Sequence, residues 1–151
     1  MITIEEFKKK QTSKIRLIGL DLGSKRIGIS ICDERQSIAT PFKTIVRINT
    51  SNLIKELKEI IKENNIKGIV IGSPVNMDGS SGSSAQSVKD ISINISKSID
   101  LPVFLWDERL STVGAFNLSS QLDVNISKKI KKIDENAAAF ILQGAIDYLN
   151  N

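Results

Sequence analysis

The chain contains no histidine, and that absence excludes more chemistry than any other feature of its 151 residues. Without an imidazole there is no Ser-His-Asp triad, no Cys-His nucleophile pair and no paired-histidine ribonuclease mechanism. A lone cysteine, Cys32, rules out an internal disulfide and an all-cysteine zinc site, and it fits a reducing compartment. Aromatics are scarce, with five Phe, one Tyr and one Trp, so a stacking platform for single-stranded nucleic acid is not expected. No apolar run approaches the roughly 18 residues of a membrane span. The N-terminus, MITIEEFKKKQTSK, lacks the apolar stretch of a signal peptide. A cytoplasmic protein with no membrane association is expected. Any catalysis must come from carboxylates, lysines, hydroxyls or bound metal.

What is present leans toward a polyanionic partner. The net charge is +4, and the basic residues are clustered rather than spread. Lys8, Lys9, Lys10, Lys14 and Arg16 lie near the start, and Lys128, Lys129, Lys131 and Lys132 near the end. Residues 1–14 read as a polar N-terminal extension before residues 15–151, which have the length of one domain.

From Ile15 the pattern is strand-like. Ile15, Leu17, Ile18 and Leu20 run into a turn at Asp21–Lys25, and Ile27, Ile29 and Ile31 then alternate with small residues. Residues 37–48 add a third strand, in which Pro41 calls for an edge or a bulge. Ser51 is expected to cap a helix whose apolar face is Leu53, Ile54, Leu57, Ile60 and Ile61, ending at Asn64-Asn65. Gly68–Gly72 reads as a buried parallel strand. A Gly/Ser-rich loop, a helix to about Ser98, and a strand over Pro102–Trp106 follow. A short helix after Ser111, a basic loop, and a final helix over Asp134–Leu149 complete the chain. The order β-β-β-α-β-α-β-α predicts an α/β protein with a five-stranded mixed sheet flanked by helices, the ribonuclease-H-like fold. Trp106 and Cys32 are expected in the core.

In open α/β sheets, functional groups gather beyond the carboxyl ends of parallel strands. Asp21 closes the first strand, Glu108 follows the last, and Asp134 is expected at the N-cap of the final helix. Each acid has an ordinary use: Asp21 to start a turn, Glu108 to pair with a surface base, Asp134 to cap a helix. Brought together, three carboxylates repel one another unless cations lie between them, and hard oxygen donors suit Mg²⁺ or Mn²⁺. Asp107 and Glu135 are adjacent competitors for the same positions.

The segments that carry these acids resemble the YqgF (RuvX) family. Asp21–Ser30, reading DLGSKRIGIS, is similar to its opening motif. Val75–Gly79, reading VNMDG, matches its middle loop, and Asp107–Thr112, reading DERLST, its third motif. Lys132-Ile133-Asp134 followed by Ala137–Leu142 is similar to its C-terminal motif. The likeness covers about residues 15–149, in order. It departs at Ser73, where the family usually has Leu, and at Gly114, where Glu is usual.

The resemblance implies a ribonuclease-H-like, metal-dependent nuclease domain over residues 15–151. The family is assigned to maturation of the 5′ end of precursor 16S ribosomal RNA and was earlier described as a Holliday-junction resolvase. Its acidic positions fall on Asp21, Glu108 and Asp134. In that reading two divalent ions roughly 3.5–4 Å apart drive phosphodiester hydrolysis, with Asp21 as the bridging ligand. Ser24, Lys25, Arg26, Asn76, Asp78, Arg109, Lys128, Lys129, Lys131 and Lys132 are then candidates for holding the nucleic acid. The substrate is structured RNA, with a DNA junction as the alternative, and the protein acts as a monomer or weak homodimer. Two rivals share the opening residues. An Asp-x-Gly-Ser hairpin also resembles the phosphate loop of actin-like ATPases, which clamp ATP between two lobes where this chain offers one. A non-catalytic binding module would gain nothing from three carboxylates.

Overall fold

A computed structural model describes residues 1–74, 82–110 and 126–151, without the side chains of residues 83, 109 and 126–135. The elements are α1 (Ile4–Lys10), β1 (Leu17–Leu22), β2 (Arg26–Cys32), β3 (Ala39–Val46), α2 (Thr50–Asn64), β4 (Gly68–Ser73), α3 (Ser83–Ser98), β5 (Val103–Asp107), a 3₁₀ turn (Glu108–Leu110) and α4 (Ile126–Asn150). The strands form one mixed sheet in the order β3-β2-β1-β4-β5. β1 and β2, and β2 and β3, pair antiparallel; β4 pairs parallel with both β1 and β5. The predicted five-stranded mixed sheet is therefore present.

Strand alternation divides the core in two. Ile18, Leu20, Ile27, Ile29, Ile69 and Ile71 face α2 and α3. Leu17, Val70, Phe104 and Trp106 face α1 and α4. Cys32 belongs to the second layer, where its Sγ accepts the Leu17 N–H at 3.1 Å. Burial pushes its thiol pKa up, so the sulfur behaves as a small apolar group. The predicted core positions of Trp106 and Cys32 are both realised. Pro41 sits on the edge strand, and the β2–β3 register slips beside it, with Ile29 opposite Lys43 and Ser30 opposite Pro41. Phe42 is the extra residue of that bulge.

α4 lies unusually close to the sheet because small residues meet there. Ala138 is fully buried, and a Cβ at Gly19 would fall 2.7 Å from Leu142 Cβ and 3.1 Å from the Ala138 carbonyl oxygen. The Ser30 hydroxyl donates to that carbonyl at 2.7 Å, tying β2 to the helix.

Three expectations need correction. The first fourteen residues are not a polar appendage: α1 is capped by Thr3, and Ile4 and Phe7 are buried, Phe7 stacking on Phe104 at 4.8 Å. The N-cap of α2 is Asn49, not Ser51, with its side chain accepting the Asn52 N–H. The final helix begins at Ile126, so Asp134 lies within it rather than at its N-cap, and Lys128–Lys132 lie on helix rather than in a loop. Ile126, Ile130 and Ile133 continue the helical spacing backward through the lysines, which the density of charge concealed. The expected short helix after Ser111 falls outside the described residues.

Candidate active site

The parallel strands β1, β4 and β5 end on one edge of the sheet. Asp21, in the last turnless position but one of β1, is half-buried and lies opposite Gly28 of β2. Ser73 at the end of β4 is level with Asp107 at the end of β5. Glu108 opens the 3₁₀ turn immediately beyond, also half-buried.

Alternation distinguishes the two neighbouring acids of the third motif. Phe104 and Trp106 point to the α4 face, so Glu108 follows them there and Asp107 alternates away. Asp21 shares the α4 face with Leu17 and Gly19 by the same rule. Gly72 of β4 makes room between them: a Cβ there would lie 3.2 Å from Glu108 Cγ and 2.4 Å from Ile141 Cδ1. Glu108 therefore leans across the end of β4 toward β1.

The electrostatics agree with that closeness. The Glu108 carboxyl pKa is pushed from its ordinary 4.5 to about 7, first by burial, then by the negative charge of Asp21, then by that of Asp107. Like charges this close to Glu108 form a site that a divalent cation would relieve, and carboxylate oxygens are the donors Mg²⁺ and Mn²⁺ prefer. Among the described residues no three acids or cysteines gather into a metal cage. The side chain of Asp134, the third candidate, is not described.

Of the other predicted contacts, Ser24, Lys25 and Arg26 are exposed at the β1–β2 turn beside Asp21. Arg109 lies on the 3₁₀ turn, and Lys128, Lys129, Lys131 and Lys132 lie on α4, in each case with only the backbone described. Asn76 and Asp78 are outside the described residues. Sequence reasoning passed over Arg47, which follows β3. Its backbone N–H donates to the Lys25 carbonyl at 3.0 Å and its Nη1 to the Gly23 carbonyl at 2.8 Å, so it braces the turn next to Asp21. The available signal was a basic residue between two apolar ones, Val46-Arg47-Ile48, with no acid alongside.

A central mixed sheet in this strand order, helices on both faces and acids at the carboxyl edge define a ribonuclease-H-like protein. The solved structure titled "T. thermophilus RuvC in complex with Holliday junction substrate" superposes with a TM-score of 0.55 at 10% identity, covering 89% of this chain and 94% of that one. The family model "RuvX: Holliday junction resolvase" matches residues 15–148, and the chain belongs to that family of nucleases. A protein of Pelagibacter ubique (strain HTCC1062) named "Putative pre-16S rRNA nuclease" is 78% identical over 151 residues, all of both chains. A protein of the same name from Rhodobacter capsulatus is 45% identical over 133 residues, 88% of this chain and 84% of that one. No helix among the described residues is long and apolar enough to cross a membrane.

Proposed function

We propose that this protein is a divalent-metal-dependent endonuclease that matures the 5′ end of precursor 16S ribosomal RNA in the cytoplasm. Asp21, Glu108 and Asp134 are its catalytic and metal-holding residues. The observation that carries the reading is the placement of Glu108 over Gly72 at the same sheet edge as Asp21, a crowding of negative charge that makes physical sense around cations and that also pushes the Glu108 pKa up. Position 134 is one helical turn before Ala138, whose carbonyl accepts from Ser30, which supports its approach to the same rim. When bound, divalent cations there supply Lewis acidity, lowering the pKa of an attacking water and neutralising charge on the leaving oxygen.

The residues of the chain then do the positioning. Asp21 pairs with Gly28 of β2, one residue beyond the last β1–β4 pair at Leu20, which suits it to the central, bridging role. Glu108 reaches toward the same point over Gly72, the glycine that also faces Ile141. Lys25 and Arg26 at the turn, with Ser24, Asn76, Asp78 and Arg109, grip the nucleic acid near the scissile bond. Lys128, Lys129, Lys131 and Lys132 add affinity that is independent of sequence and falls steeply with salt. The domain spans residues 15–151, with α1 docked upon it, and works as a monomer or weak homodimer.

The test compares two substrates, a structured ribosomal-RNA precursor and a four-way DNA junction, each with Mg²⁺ and with Mn²⁺. Cleavage of the precursor at its 5′ side is expected. Cleavage of the junction alone would replace the RNA reading with resolution of DNA junctions, the activity in the family model's description.

A further inference from the structure

Just across the sheet from the acids lies a polar recess that shares only Ser24 with the contacts named above. It has a volume of about 290 Å³ and, among the described residues, is lined by Leu22, Ser24, Arg47, Pro74, Ser84, Ser87 and Val88. Leu22 follows Asp21 directly and alternates to the opposite face, toward α3. The recess and the acids therefore flank the same strand end, one on each face of the sheet.

Its chemistry is that of an anion site. Among the described residues Arg47 is the one charged residue in the lining, half-buried, and anchored through Nη1 to the Gly23 carbonyl. That bond tethers the guanidinium, and among the described residues it takes up neither Nη2 nor Nε. No ion pair to Arg47 occurs among the described residues. Three serine hydroxyls, of Ser24, Ser84 and Ser87, complete the lining, and they donate readily to phosphate oxygens. Among the described residues no carboxylate lines the recess. A buried metal cannot use such a site, and an apolar ligand would leave the guanidinium unpaired.

We propose that this recess binds a backbone phosphodiester of the nucleic acid, next to the one at the acids, with Arg47 as its principal ligand. The inference deepens the nuclease reading and rests on it. A strand crossing the end of β1 from the α4 face to the α3 face would present consecutive phosphates to the two places. The recess then sets the strand's register relative to Asp21 without reading sequence, and it serves RNA and DNA alike.

The experiment measures binding of a mixed-sequence single-stranded RNA, in EDTA to prevent cleavage, across a series of salt concentrations. Arg47→Gln is expected to weaken binding about five- to ten-fold at low salt and to reduce the log–log salt slope by about 0.7, one phosphate contact for a single strand. Arg47→Lys, which keeps the charge and loses the fork, should restore most of the slope, as a merely structural brace would not. Ser84→Asp places a negative charge at the recess in the first turn of α3, where it favours the helix; it should weaken binding without loss of fold, and it decides the matter if Arg47→Gln does not fold. Lys62→Gln, exposed on α2, should leave the slope unchanged. An unchanged slope in Arg47→Gln, wild-type affinity in Ser84→Asp, or an equal fall in Lys62→Gln would overturn the subsite while cleavage by the wild type leaves the nuclease reading standing. A wild-type protein that neither binds nor cleaves nucleic acid would overturn both.

Discussion

Replacing Glu108 by Gln should stabilise the metal-free protein while abolishing its cleavage activity. Gln keeps the size and the contact over Gly72 but removes the charge that Asp21 and Asp107 repel. Below about pH 4.5 the carboxyl is protonated in both folded and unfolded chains and makes no difference. Between about 4.5 and about 7 the unfolded chain ionises first, so the folded state holds the extra proton and wild-type stability falls as pH rises. Above about 7 both forms are ionised and the penalty is constant. At full strength that gap corresponds to about 3.4 kcal/mol; Glu108 is partly exposed, and solvent screening reduces it to about 1.5 kcal/mol. In a chain of this size the gain is about 4 °C in Tm. Thermal unfolding in EDTA at about pH 8 and about pH 4 reads it directly, with the gain confined to the higher pH. Saturating Mn²⁺ should reverse the order, because only the wild type gains from binding. A variant no more stable than wild type at the higher pH, or equally stabilised at both, would refute the placement of Glu108 among negative neighbours.

Other outcomes follow from the packing. Gly19→Ala forces a methyl against Leu142 Cβ and the Ser30 hydroxyl, and should cost about 3 kcal/mol in chemical denaturation. Gly72→Ala presses on Ile141 and on Glu108 Cγ, so a loss of about 1–3 kcal/mol should accompany a fall in cleavage rate with a folded circular-dichroism spectrum. Phe7→Ala removes a side chain only 4% exposed and its stacking on Phe104, which should cost about 3 kcal/mol although it lies far from the acids.

Much of the sheet was readable because β2 is a clean alternation, Ile27-Gly28-Ile29-Ser30-Ile31, and β4 a short apolar run, Gly68–Gly72. Pro41 announced both the edge and the bulge. α1 escaped because only Ile4 and Phe7 are apolar among lysines and glutamates. Yet Thr3 and Glu6 form the spacing of a capping box, and the Glu6 N–H does donate to Thr3 Oγ1. The start of α4 was hidden in the same way, by lysines on a helix whose isoleucine spacing was intact. The position of Asp21 near the end of β1 was legible from strand polarity alone. The preference for Glu108 over Asp107 needed the parity of Phe104 and Trp106 to be fixed by their packing on α4. Arg47 was marked only by its apolar neighbours, and its contact could not be read from them, since it is made to a turn twenty-four residues earlier in the chain, at Gly23.

The most direct test of the central assignment is cleavage of the ribosomal-RNA precursor by Asp21→Asn in the presence of Mn²⁺, alongside calorimetric Mn²⁺ binding. Retained fold with lost cleavage and weakened Mn²⁺ binding is the expected result. A folded Asp21→Asn protein that cuts at the wild-type rate would contradict it.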